Sequence, residues 1–141
     1  DDYSKKLIKK INCDSRINNL GNLPQKDLLT KLQYYDLAVV PSIWMETGPM
    51  TILEAFAAGI PVAGTNLGGI RELLIDQEGC FLLSSDPLSW TNLFLSILNK
   101  KIILSKFKPP KIRTFHDVES EFEKLILKKV RKKKDISLKE I

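Results

Sequence analysis

Two short apolar runs, Leu37 to Val40 (LAVV) and Pro61 to Gly64 (PVAG), constrain the fold most. Neither alternates polar with apolar residues, so each reads as a strand buried on both faces, the pattern of a parallel sheet. Parallel neighbours require a crossover, and Pro49 to Ala58 between the runs is read as its helix. Pro41 and Ser42 end the first strand. Pro49 suits the first helical turn because its missing N–H would be unpaired there anyway, and Thr47 or Gly48 is the expected N-cap. Strand, loop and helix start in succession bring unpaired amides and the positive end of the helix dipole together. That is a ready site for an anion.

Two carboxylates frame this junction. Glu46 falls in the loop at the carboxyl end of the first strand. Glu54 lies about a turn and a half into the helix, near Met50 and Leu53, and seven residues separate the pair. One carboxylate in the mouth and one on the first turns are placed to hold hydroxyls of a ligand whose phosphates sit at the amides. Taken alone, such a pair is as readily a loop-surface Glu and a solvated helix residue. The surrounding string decides between these readings.

That string, PSIWMETGPMTILEAFAAGIPVAG, resembles the donor-binding signature of retaining GT-B glycosyltransferases, glycosyltransferase family four in particular. The family pattern is matched by Glu46, Glu54, Ala55-Phe56-Ala57-Ala58, Gly59, Pro61-Val62 and the later Gly68-Gly69. The similarity extends from about Ile17 to Asn99. It includes Asn19 to Pro24, Asp27 to Asp36, Thr65 to Glu72, Gly79 to Leu83, and Asp86-Pro87-Leu88. The resemblance implies that Glu46 contacts the transferred sugar and orients its anomeric carbon, which makes it the one candidate catalytic residue. It implies that Glu54 binds the ribose diol, and that Gly48, Met50 and Thr51 lie beside the diphosphate at the helix start. Gly68 and Gly69 would let backbone approach the donor closely. Ser42 and Trp44 share the loop and are weaker candidates for base or sugar contact. No residue reads as a general acid or base. No cofactor or metal is expected, because helix amides and basic side chains would stabilise the leaving diphosphate.

The periodicity along the rest of the chain agrees with an α/β order. Lys5 to Asn12 reads as a helix end, Arg16 to Leu20 as a strand, and Gln25 to Tyr35 as an amphipathic helix. Gly69 to Ile75 reads as a short helix and Cys80 to Leu83 as a strand. Asp86 as N-cap with Pro87 behind it opens a helix to about Leu98. Lys108 to Lys111 is a Pro-rich break, and Asp117 to Lys133 a last helix with Val118, Phe122, Leu125, Ile126 and Val130 as its stripe. The expected fold is α/β: a Rossmann-like parallel sheet of about four strands with helices on both faces, part of a GT-B C-terminal domain. Residues 1–113 would form a truncated nucleotide-sugar-binding domain, and 114–141 a C-terminal helix with a basic tail. The family's Gly-Arg strand and diphosphate-clamping Lys have no counterpart before Arg16, nor is its acceptor-binding domain present. The chain therefore reads as a fragment of a longer enzyme, inactive in transfer by itself, with a gap in its sheet that invites self-association.

Size and charge bound the remaining classes. The chain has 141 residues, 43% hydrophobic and 28% charged, as in an ordinary globular domain. No apolar run is long enough to span a bilayer, and the N-terminus lacks the apolar stretch of a signal peptide. Cys13 and Cys80 form neither a disulfide framework nor a zinc motif, and a cytoplasmic location is expected. The net charge of +5 is concentrated in Lys128, Lys129 and Arg131 to Lys134. This reads first as a solvated helix end and second as a contact with the inner face of an anionic membrane. Nucleic acid is not expected, since no aromatic interleaving or base-reading element accompanies the lysines. His116 and Arg71 read as surface residues and Trp90 as helix packing. Two functions follow: the donor half of a retaining glycosyltransferase acting on a saccharide or lipid-linked acceptor, or a non-catalytic nucleotide-sugar-binding or assembly module that keeps the fold.

Overall fold

The computed structural model describes residues 2–104 and 107–137, with side chains described through residue 129. The elements run α1 (Asp2–Asn12), α2 (Gln25–Leu32), β1 (Ala38–Val40), α3 (Met50–Ala57), β2 (Val62–Thr65), α4 (Gly68–Leu74), β3 (Phe81–Leu83), α5 (Pro87–Leu98) and α6 (Phe115–Ser137). The three strands form one parallel sheet in the order β1-β2-β3, with Ala38 opposite Val62 and Ala63 opposite Phe81. The α/β architecture with a parallel sheet is therefore the one expected from the two apolar runs.

The strand count is not. Arg16 to Leu20 is not a strand, and the sheet has three strands rather than about four. The chain turns there instead: Ile17 donates to the Asp14 carbonyl at 3.0 Å, and the Arg16 guanidinium folds back onto the Asp14 carboxylate at 2.7 and 2.9 Å. A strand is stabilised by ladder pairing, and no described segment pairs with this one.

Alternation along the strands divides the side chains between two faces. Ala38, Val40, Val62 and Leu82 meet Ile52, Ala55 and Phe56 of α3 and Ile70 and Leu74 of α4 in the main core. Fully burying a side chain such as Ile52, Phe56, Val62 or Ile70 contributes roughly 1.5–3 kcal/mol. Phe107 and Ile112 close the core's lower side, with the Phe107 ring 5.6 Å from that of Phe56. Val39, at the centre of β1, faces the other way. It borders a cavity with Phe94, Ile97 and Leu98, so α5 lies over the second face. Helices thus flank both faces, with Val39 itself left 43% exposed beside α5.

Helix boundaries follow local chemistry. The Asp86 carboxylate accepts from the Ser89 N–H at 2.9 Å and Pro87 follows it, as the sequence predicts. At α3 the N-cap is Pro49 itself, extended at φ −68° and ψ 104°, rather than Thr47 or Gly48. Its carbonyl accepts from Ile52 at 3.1 Å, so the helix starts without a side-chain cap. At α6 the Thr114 hydroxyl accepts from the Asp117 N–H and the Asp117 carboxylate accepts from the Thr114 N–H, a reciprocal capping box. The helix therefore begins at Phe115, two residues before the expected Asp117. Lys128 and Lys129 are exposed near its end, while the side chains of Arg131 to Lys134 lie outside the described residues.

Candidate functional site

The carboxyl ends of β1 and β2 release two loops on the same edge of the sheet. In open α/β sheets, ligands bind in the crevice beyond those carboxyl ends. The first loop, residues 41–49, carries Glu46 and Gly48 and ends on buried Pro49. The second, residues 66–67, leads straight into Gly68 and Gly69 at the start of α4. Thr65, the last residue of β2, is buried, and its hydroxyl donates to the Val40 carbonyl at 3.4 Å, bridging the two strand ends. It is a polar residue at the end of an apolar run; that offset is the sequence signal for it, and the pattern reading passed over it.

A bond between the loops sets the site's geometry. The Gly69 N–H donates to the Glu46 carbonyl at 2.6 Å. A Cβ on Gly68 would stand 2.9 Å from that same oxygen, and Gly68 has φ +46°. A Cβ on Gly69 would stand 2.7 Å from the Glu46 oxygen and 2.8 Å from the Thr47 oxygen. The side of each glycine left open by the missing Cβ is thus filled by backbone of the first loop, Met45 and Glu46 at Gly68 and Glu46 and Thr47 at Gly69. Both glycines make a close backbone approach to the neighbouring loop. Gly48 differs, since open space lies where its Cβ would be.

Glu46 and Glu54 are both half-buried, Glu46 in the first loop and Glu54 in the second turn of α3. Met50 and Thr51 occupy the first turn of α3 and are exposed; amides of a first turn have no partner within their own helix. Ile43, Trp44 and Met45 are also exposed. Ser42 caps the loop locally, its hydroxyl accepting from the Trp44 N–H at 3.4 Å. Arg71 lies exposed on α4. Trp90 and His116 are away from the site: the Trp90 indole donates to the Ser84 carbonyl at 2.9 Å, and His116 faces Glu119 on α6. Among the described residues no cluster of three or more His, Cys, Asp or Glu is placed to hold a metal ion.

The three-stranded parallel sheet, its crossover helices and the two joined loops define an α/β module with its candidate site at the carboxyl ends of the strands. The chain belongs to the glycosyl transferases group 1 family, whose profile matches residues 1–110. It is 28% identical over 94 residues to the D-inositol 3-phosphate glycosyltransferase of Corynebacterium diphtheriae, covering 66% of this chain and 22% of that protein. It is 39% identical over 59 residues to the glycogen synthase of Mycobacterium tuberculosis, 42% of this chain and 14% of that one. Among solved structures it is similar to Anabaena HepE in complex with UDP and glucose, with a TM-score of 0.58 and 26% identity. The match covers 71% of this chain and 28% of HepE; a HepE complex with UDP-glucose matches with a TM-score of 0.56. The chain thus spans about a quarter of the length of the D-inositol 3-phosphate glycosyltransferases it is similar to. Its fold is the expected α/β one, with a three-stranded parallel sheet, and the solved structures it is similar to are GT-B glycosyltransferases.

Proposed function

We propose that this chain is the donor-binding part of a retaining glycosyltransferase of glycosyltransferase family four, moving a sugar from a nucleotide-sugar to a saccharide or lipid-linked acceptor. The observation that carries the reading is the joined pair of loops at the carboxyl ends of β1 and β2, with Glu46 in one of them and Glu54 on the helix that follows. The similarity to a protein solved with UDP and glucose supports a nucleotide-sugar as the ligand.

In this reading each residue has a definite task. Glu54 accepts hydrogen bonds from the ribose diol. Gly48, Met50 and Thr51 present backbone at the N-terminal end of α3, where the helix dipole favours the diphosphate as the glycosidic bond breaks. Glu46 accepts from sugar hydroxyls and fixes the anomeric carbon relative to the acceptor. Helix amides and basic side chains stabilise the leaving diphosphate without a metal. The acceptor is held by a further domain of the same enzyme, so this chain alone binds donor without transferring sugar. The open edge of β1 favours self-association of the isolated chain. The location proposed is the cytoplasm, with the Lys-rich end of α6 against the inner membrane face; among the described residues no helix is long and apolar enough to cross a membrane.

The test is a thermal-shift screen against UDP, GDP, ADP and their sugars. A ligand that binds only the folded chain raises the melting temperature by mass action, about 2.7 kcal/mol of added stability at a hundredfold excess over Kd. A shift with one nucleotide that disappears in Glu54→Ala is the expected result. A shift that survives Glu54→Ala unchanged would remove Glu54 from the site.

A further inference from the structure

We propose that Gly69, with Gly68 beside it, is the positioning residue for Glu46. Backbone contacts from the start of α4 fix the loop that carries this carboxylate. The functional meaning rests on the donor reading above, whereas the latch itself rests on geometry alone.

The loop of residues 41–49 has few other anchors. Its middle side chains point outward: Ile43, Trp44 and Met45 are 68%, 76% and 80% exposed. Its internal bonds are local, with Glu46 donating to the Trp44 carbonyl at 3.0 Å and Trp44 donating to the Ser42 hydroxyl. Local bonds shape a loop but do not place it on the scaffold. The Gly69 N–H to Glu46 carbonyl bond does, joining the loop's centre to a helix whose Ile70 and Leu74 are fixed in the core. Gly69 is itself buried, so this bond is shielded from competing water.

The absence of side chains at Gly68 and Gly69 is what permits the contact. The three atoms nearest a Cβ at Gly69 are all backbone: the Glu46 oxygen at 2.7 Å, the Thr47 oxygen at 2.8 Å and the Thr47 carbonyl carbon at 2.9 Å. No rotamer change relieves such a clash. The loop must move, and restoring ordinary contact at 3.4 Å requires about 0.7 Å at the nearest oxygen (3.4 − 2.7). A misplacement near 1 Å at a reacting centre costs on the order of 100-fold in rate. The Gly69 N–H is also already directed at the Glu46 oxygen, which sets this amide apart from the exposed Gly48 position as a phosphate donor.

Amide hydrogen exchange on the 141-residue chain tests the latch directly. In the wild type, the Gly69 N–H should exchange on the order of 100-fold more slowly than in unstructured peptide. Gly69→Ala should accelerate exchange at position 69 and at Glu46, whose N–H is bonded to the Trp44 carbonyl, by about tenfold or more while Val62 to Thr65 remain protected. Glu46→Ala retains the carbonyl and should leave Gly69 protected. Unprotected Gly69 in the wild type overturns the proposal, whether or not the variant folds. So does a Gly69→Ala chain whose loop exchanges as before. Titration with UDP and UDP-glucose separates this from the donor reading. Gly69→Ala should weaken UDP-glucose as much as Glu46→Ala does, by about tenfold, and leave UDP unchanged. An equal loss of both ligands with normal loop exchange would assign Gly69 to direct phosphate contact and overturn the positioning role. If neither ligand binds the wild type, the donor reading fails and exchange alone decides the latch.

Discussion

Gly64 on β2 and Ile70 on α4 approach so closely that a Cβ on Gly64 would stand 2.5 Å from Cγ2 of Ile70. Leu74 presses on the same spot, its Cδ1 at 2.7 Å. Helix α4 therefore rests on the strand backbone itself. This seating sets the height at which Gly68 and Gly69, in the same first turn as Ile70, meet the Glu46 loop. The core and the candidate site thus share one contact surface.

Gly64→Ala should accordingly destabilise the chain by about 1–3 kcal/mol through overpacking. Urea denaturation would show it as a lower midpoint with an unchanged slope. Combined with Ile70→Ala, which removes the opposing methyl, the loss should be smaller than the sum of the two single losses, because the residues touch. Strict additivity would mean that α4 rides elsewhere on the sheet.

The cap of α5 predicts an acid limb in the stability profile. The Asp86 carboxylate accepts from the Ser84 hydroxyl and from the Ser89 hydroxyl and N–H, and these bonds hold its pKa down at about 2, against an ordinary 3.8. A carboxyl depressed on folding stabilises the native state above 3.8 and loses that contribution as the pH falls from 3.8 towards 2. The melting temperature should decline through that window, and Asp86→Ala should flatten part of the decline. A remainder is expected from Asp117, lowered chiefly by its hydrogen bonds from Thr114, and from Asp14, lowered by those from Arg16. An unchanged acid limb in Asp86→Ala would show that the cap is not formed in solution.

The two cysteines should separate kinetically. Cys13 is exposed, whereas Cys80 is half-buried against β2, with the Val62 N–H directed at its sulfur at 3.4 Å. Burial pushes the Cys80 thiol up, which reduces the reactive thiolate at neutral pH. Alkylation followed by mass spectrometry should give one fast adduct at Cys13 and a slow one at Cys80. Cys13→Ser should remove the fast phase alone. Equal rates would mean that β3 opens readily from β2.

The sequence announced some of these features and concealed others, for physical reasons. The runs at Leu37–Val40 and Pro61–Gly64 were legible because a strand buried on both faces has no alternation to obscure it. Asp86-Pro87 was legible because a cap is a local event. Arg16 to Leu20 misled because Ile17 and Leu20 say nothing about a neighbour, and a segment with two asparagines and no partner strand gives way to the local Asp14–Arg16 turn. The Thr114–Asp117 capping box has a recognisable spacing, yet the apolar stripe drew the expected start of α6 to Asp117. At the site, the glycine pair was visible but its contact was not. Sequence identifies a position that tolerates no Cβ; only the assembled loops reveal that the intruding atoms belong to Glu46 and Thr47.

Glu46 and Glu54 should differ in what their removal costs, because they hold different ends of the proposed ligand. Each is half-buried, so a bound carboxylate there is partly shielded from water. Hydrogen bonds to a charged group contribute about 1.5–3 kcal/mol each, or roughly 10- to 100-fold in affinity for the loss of one. Glu54→Ala should therefore weaken the nucleoside diphosphate and the nucleotide-sugar alike, by at least roughly tenfold. Glu46→Ala should weaken only the nucleotide-sugar, leaving the diphosphate unaffected. Isothermal titration of both ligands against both variants provides the four values needed. Melting curves without ligand should overlay the wild type to within the few tenths of a kcal/mol typical of surface substitutions. If Glu46→Ala weakened the bare diphosphate as strongly as the sugar form, the carboxylate would lie at the phosphates, and its assignment to the sugar would fall.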